Sequence, residues 1–180
     1  MTFDSFHNPT HLYFVTATLC GWKPLFFREN YANIVLHSLD WLHRQKRMKL
    51  YAFVLMPSHL HAMVKPEDRT IGELVQNFAS FTAHAILKQL RGDGDNELLA
   101  FFHEQRRDKR HQHSIWQDVQ AKNVYSRDFL IQKIEYIHQN PISQNGNATA
   151  DRASYKYSSA CFYDNDRKTI IEIDDVRECL

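Results

Sequence analysis

The segment LYAFVLMPSHLHAMVK, residues 50–65, constrains the fold of this chain more than any other stretch. LYAFVLM is aromatic, apolar and β-branched, as a buried strand requires. Pro57 and Ser58 break it, because proline cannot donate to a strand ladder, and LHAMVK resumes at residue 60, so the simplest connection is a tight hairpin. HLYFVTATLC, 11–20, reads as an earlier strand of the same kind. Between them Tyr31, Ile34, Val35, Leu39 and Leu42 recur at the three-and-four spacing of an amphipathic helix. After the hairpin, Thr70 opens a second helix with Glu73 as its capping box, and Leu74, Phe78, Phe81 and Ile86 mark its buried face. SIWQDVQAKNVY, 114–125, supplies a fourth strand. Ser126 then caps the helix RDFLIQKIEYIHQN, which is expected to finish at Asn140 because Pro141 disfavours helical geometry in the residue before it. Residues 97–113 carry no clear pattern and are expected to include an exposed, basic connection. The resulting order, β-α-β-β-α-β-α, is that of an α+β, ferredoxin-like split β-α-β domain with an antiparallel sheet and one extra helix.

Composition narrows the class. A chain of 180 residues, 43% hydrophobic and 24% charged, suits one soluble domain, expected over residues 1–163 and followed by an acidic tail, 164–180. No apolar run approaches the roughly 18 residues that span a bilayer, and MTFDSFHNPTHLYF lacks the layout of a secretory signal, so a cytoplasmic protein with no membrane partner is expected. Cys20, Cys161 and Cys179 form no CxxC pair, which argues against a disulfide framework or a cysteine zinc site. The formal net charge of +1 argues at first against nucleic acid. However, the tail holds six acids and three bases, so residues 1–163 carry +4. Two basic clusters stand out, Arg44, Lys46, Arg47 and Lys49, and Arg106, Arg107, Lys109 and Arg110; both are candidate phosphate contacts, although a solvated helix end is the commoner origin of such a run.

Two of the eleven histidines differ from the rest. His59 and His61 stand two apart at the start of a strand and therefore point to one face, while Leu60, Ala62 and Val64 supply the other to the core. Paired imidazoles on a rigid strand make a natural divalent-metal half-site. An isolated HxH is weak evidence, and the helix before Pro141 strengthens it. At about 100° per residue, Leu130, Ile134 and Ile137 form the buried stripe, and Tyr136 lies on the order of 130° from its middle. Asn140, one turn on, shares the face of Tyr136.

LYAFVLMPSHLHAMVK followed by KIEYIHQNPI resembles the HUH single-tyrosine transposases, and the trailing YKYSSACFY resembles their REP-associated tyrosine transposase subgroup. The similarity runs from about His11 to Tyr163. It implies that His59 and His61 are the HUH metal ligands, that Tyr136 is the catalytic nucleophile, and that Asn140 completes the metal site. It also implies Mg²⁺ or Mn²⁺ without a nucleotide cofactor, and a partner of single-stranded DNA bearing a hairpin or palindromic repeat. NPISQNGNATAD, and an enlarged connection over 92–113, depart from the usual pattern outside the presumed metal and nucleophile positions, so they bear on DNA specificity rather than on chemistry.

A phenol with a pKa near 10 is a poor nucleophile at neutral pH and needs a charge-neutralised phosphate. The expected reaction is attack by Tyr136 to give a 5′-phosphotyrosine and a free 3′-hydroxyl, which a second 3′-hydroxyl reverses. Trp116 and the aromatics of 155–163 are candidate stacking platforms, with core packing favoured for each. His138 lies far round the helix from Tyr136 and receives no catalytic role. A DNA-binding regulator that keeps the fold without turnover is the alternative, and a water-using hydrolase would need an acidic base near the histidines that SHLHAMVK does not supply. The acidic tail is a candidate occupant of the DNA surface when substrate is absent. Both a monomer and a homodimer remain compatible with the sequence.

Overall fold

Strands Leu12–Leu19 (β1), Met48–Leu55 (β2), His59–Pro66 (β3) and Trp116–Val124 (β4) form one antiparallel sheet in the order β2-β3-β1-β4. The computed structural model describes residues 11–106, 113–143 and 151–179. Helices Glu29–Arg44 (α1) and Ile71–Gly92 (α2) connect the strands as in the expected ferredoxin-like arrangement, and the connection from β2 to β3 is the expected tight hairpin, closed by Met56 N–H donating to His59 O at 2.8 Å. The remaining helices are Asn96–Glu104 (α3), Arg127–Ser143 (α4) and Ala160–Asn165 (α5).

Successive strand residues face opposite sides, so each strand feeds two cores. Tyr13, Val15, Ala17, Leu60, Ala62 and Val64 pack with α1 and α2 in the larger one. Phe14, Val54, Met56 and Met63 pack with Leu130 and Ile137 of α4 in a smaller core on the other face. Burial on both faces explains why β2 is a continuous apolar run rather than an alternating one. The outer edge of β2 is covered by residues 157–159, through Leu55 N–H to Tyr157 O at 2.8 Å and Ser159 N–H to Phe53 O at 3.0 Å, which blunts an otherwise open edge.

Two expectations are corrected, the end of α4 and the burial of Phe81, and two further segments are placed. Within 97–106, α3 occupies most of the segment, capped by Asp95, whose side chain accepts from Leu98 N–H at 3.2 Å, and it buries Phe102 completely. Helix α4 does not stop at Asn140 but runs through Pro141 to Ser143. Ser126 caps its start, the hydroxyl accepting from Phe129 N–H at 3.2 Å. The proline preference is a weak bias on the preceding residue, and here Asn140 and Pro141 are both buried, so packing holds the last turn in place. Phe81 is exposed rather than on the buried face of α2. Over six turns the buried stripe drifts round that helix, and Thr82 takes the inward position, its hydroxyl accepting from Trp116 Nε1 at 3.0 Å. The acidic segment 164–179 packs along the β2 edge: Ile171 enters the larger core, Val176 the smaller, and the Asp174 carboxylate accepts from Leu50 N–H at 3.1 Å and sits 3.0 Å from His43 Nε2.

Candidate functional site

The register of the sheet lays out a polar floor on the face shared with α4. His59 pairs with Thr18, which pairs with Asp118; His61 pairs with Thr16, which pairs with Gln120; Met63 pairs with Phe14, which pairs with Lys122. These rows cross β3, β1 and β4, and strands about 4.8 Å apart place Asp118 roughly 10 Å from His59 at the backbone. Helix α4 forms one wall with Lys133 and Tyr136, and Trp22 closes the end near His59. Together they bound a cleft of about 420 Å³.

The sequence-predicted residues converge there. The imidazoles of His59 and His61 are 4.9 Å apart between ring centres, and Tyr136 lies edge-on to His61 at 5.2 Å. Asn140 Oδ1 is 3.2 Å from His59 Nε2. Tyr136 is 46% exposed and lines the cleft, whereas Asn140 is buried against His59. The predicted buried stripe on α4 is present: Leu130 and Ile137 are buried and Ile134 is half-buried behind them. His138, given no catalytic role, faces away and hydrogen-bonds Ser159 Oγ at 2.9 Å. Ser159 Oγ in turn accepts from Phe53 N–H at 2.9 Å, tying α4 to the β2 edge.

The donor set fits a divalent cation in three respects. Burial, the largest influence, lowers the pKa of both imidazoles, and His61 is brought to about 3 with help from the neighbouring His59 and Lys133. Both are therefore neutral near pH 7, the form that ligates. Each Nδ1 meets a hydroxyl, His61 with Thr16 Oγ1 at 3.0 Å and His59 with Ser58 Oγ at 3.3 Å. A hydroxyl can donate or accept, so either tautomer is supported, and a cation would take the place of the contact between His59 Nε2 and Asn140 Oδ1. Among the described residues no three His, Cys, Asp or Glu side chains group as a metal site, so the third protein donor beside the two imidazoles would be the Asn140 amide oxygen.

Sequence reasoning missed Lys133. Its ammonium is 4.8 Å from the Phe14 ring centre, 5.2 Å from Phe129 and 5.2 Å from Tyr136, so three aromatic faces seat it beside His61 and Tyr136. The signal was present, since Lys133 and Tyr136 are three apart on one helix. Asp118, Gln120, Thr16 and Thr18 were missed because only the strand register brings them to the histidines.

The first basic cluster is not part of the cleft. Met48 pairs with Pro66 whereas Val54 pairs with His61, so Arg44, Lys46, Arg47 and Lys49 lie about six residues, or roughly 20 Å, along the strands from the site. Arg44 pairs with Asp40 at 2.9 Å, and Arg47 pairs with Asp68. Of the second cluster, Arg106 donates to His103 at the end of α3, while Arg107, Lys109 and Arg110 lie outside the described residues. Trp116 is buried, Tyr155 donates to Leu55 O at 3.0 Å and Tyr163 to Tyr51 O at 2.7 Å, so these aromatics pack rather than stack on a ligand.

Comparison with known proteins identifies the fold. The chain superposes on a REP-associated tyrosine transposase bound to a REP hairpin with a TM-score of 0.66 and 15% identity, over 98% of this chain and 93% of that one. At that identity the likeness establishes the shared fold. A Deinococcus radiodurans R1 protein provisionally named a transposase gives a TM-score of 0.47 and 14% identity over 76% of this chain and 95% of that one, too distant to carry weight. No family model matches the chain, and no curated protein does. No helix among the described residues is long and apolar enough to cross a membrane.

Proposed function

We propose that this chain cuts and rejoins single-stranded DNA at a hairpin or palindromic repeat, with Tyr136 as nucleophile and His59, His61 and Asn140 as ligands of Mg²⁺ or Mn²⁺. The observation that carries the reading is the meeting, in one cleft, of an exposed tyrosine with two neutral imidazoles and a buried amide drawn from elements 75 residues apart. A fold shared with a transposase that is itself bound to a REP hairpin supports the choice of DNA class.

The chain's own groups account for the chemistry as follows. The Tyr136 oxygen attacks the phosphorus, the bond from phosphorus to the 3′-oxygen breaks, and the 5′-phosphate remains on the phenol while the departing oxygen gains a proton. Attack requires the phenol to lose its proton, and the ammonium of Lys133 beside the ring stabilises the negative charge that develops there and on the phosphate. Thr16 and Ser58 orient the imidazoles. A bound divalent ion would withdraw charge from the phosphate oxygens and align the backbone for in-line displacement. The phosphotyrosine conserves the phosphodiester energy, so attack by a second 3′-hydroxyl rejoins DNA without a nucleotide cofactor.

The test is covalent trapping of a labelled single-stranded hairpin by the intact chain with Mg²⁺ or Mn²⁺. Wild type should form a denaturant-resistant adduct and Tyr136→Phe none, with hairpin binding retained in both. An adduct in the Phe variant would overturn the assignment of Tyr136. Cleavage without an adduct would indicate hydrolysis by water instead, and binding with no cleavage under either ion would indicate a regulator.

A further inference from the structure

Trp22 departs from what packing alone produces. It adopts φ +53° directly after Gly21 at φ +60°, and a bulky residue in the left-handed region is uncommon and strained. Burial does not offset that strain, since Trp22 is 56% exposed. The surrounding structure imposes the conformation from three sides. Leu19 N–H donates to Ser58 O and Cys20 N–H to Ile115 O, both at 2.9 Å, which fixes the end of β1. Gly21 N–H donates to Gln117 Oε1 at 3.2 Å. Phe101 of α3 lies so close over Gly21 that a Cβ there would come within 2.7 Å of its ring. Lys23 in turn covers that phenyl ring at 4.4 Å. The product of these contacts is an indole held at the cleft mouth, edge-on to His59 at 5.4 Å, facing a floor that carries Thr18, Asp118 and Gln120.

We propose that Trp22 is the stacking surface for one unpaired nucleobase adjacent to the scissile phosphate, with the polar side chains of the floor facing the edge of that base. A phosphate held near His59 and Tyr136 leaves its neighbouring base within the same cleft. A rigid, exposed indole gives that base a π-face, which is how single strands are commonly held. The proposal rests on the reading of a single-stranded DNA substrate given above. It differs from the aromatics first considered from sequence, because Trp116 and the 155–163 aromatics are used in packing.

The experiment measures equilibrium binding by the full chain carrying Tyr136→Phe, so that no covalent step intervenes. The probe is a hairpin oligonucleotide with short single-stranded flanks, selected from a random pool on the wild-type protein, in which each flank nucleotide is replaced in turn by an abasic one. One position is expected to lose about 5- to 150-fold in affinity when abasic, the range for removing a single stacked base. Trp22→Ala should lose a similar amount, the two changes together should cost no more than either alone, and Trp22→Phe should recover most of the loss. If Trp22→Ala acted only by disturbing the fold around His59, its penalty would add to every abasic penalty; that result, or no penalty at all, overturns the proposal. Additive penalties, with adduct formation retained by Trp22→Ala in a chain that keeps Tyr136, overturn the stacking role alone, whereas failure of the wild type to select any hairpin overturns the functional reading and the stacking role with it.

Discussion

Gly21→Ala tests the architecture of the cleft mouth. Two separate penalties act at this position. Alanine at φ +60° meets the steric cost of the left-handed region, about 1–2 kcal/mol. The new methyl group would also approach Phe101 Cζ to 2.7 Å. Phe101 cannot swing away freely, because it packs against the larger core, lies edge-on to Phe102 at 5.4 Å and is covered by Lys23. Overpacking of this kind costs about 1–3 kcal/mol. The sum, about 2–5 kcal/mol, is a large part of the 5–15 kcal/mol that typically holds a domain together. Urea unfolding should show a lowered midpoint with an unchanged slope. The decisive comparison is the double-mutant cycle with Phe101→Ala. With the ring removed, only the backbone penalty remains, so Gly21→Ala should then cost about 1–2 kcal/mol and the coupling should equal the overpacking share. An identical cost in both backgrounds would refute the claim that α3 clamps this turn.

Two further outcomes follow from the same structure. Lys133→Met keeps an apolar stem over Phe14 and Phe129 but removes the charge beside Tyr136; single-turnover adduct formation should slow by roughly 100-fold, while Lys133→Arg retains most of the rate, and an unaltered rate in the Met variant would remove Lys133 from the chemistry. Burial brings the pKa of His138 down to about 4 against an ordinary 6.5, so the unfolded chain binds the proton more tightly and stability falls as pH drops from about 6.5 towards 4, by about 3 kcal/mol when complete. His138→Gln should flatten that part of a stability-against-pH curve measured by urea titration, and the same slope in the variant would place the proton uptake elsewhere.

How far the sequence revealed the site depended on the range of the interactions that built it. His59 and His61 were legible because two-residue spacing on a strand fixes a common face, and Tyr136 and Asn140 because helical spacing fixes theirs. Both are local geometry. The helix end was misplaced because a backbone bias at Pro141 was weighed without the packing that opposes it. Asp118 and Gln120 depend on a register between β1 and β4 that separates partners by about a hundred residues, and no local pattern carries that information. The charge pattern was legible in sum but not in use. The basic body and acidic tail are real, yet Asp164 pairs with Arg152, Asp174 meets His43, and Asp175 meets Arg177, so the acids serve the β2 edge, and no described residue of 151–179 lines the cleft.

Helix α3 follows from the same distinction between local and distant interactions. NELLAFFHE has enough apolar residues for a short helix, but its purpose cannot be read from its own spacing, because the residue it meets, Gly21, lies 80 positions earlier. Once that contact is known, α3 acquires a mechanical role. Phe102 anchors the helix in the core, Phe101 presses on Gly21, and the turn so fixed presents Trp22 to the cleft. The histidines and the tyrosine stand on the sheet and on α4, whereas the indole stands on a turn seated by α3. The residues proposed for chemistry and the residue proposed to stack a base therefore sit on separately supported elements. Changes to α3 should accordingly alter which flanking base is tolerated before they alter attack by Tyr136.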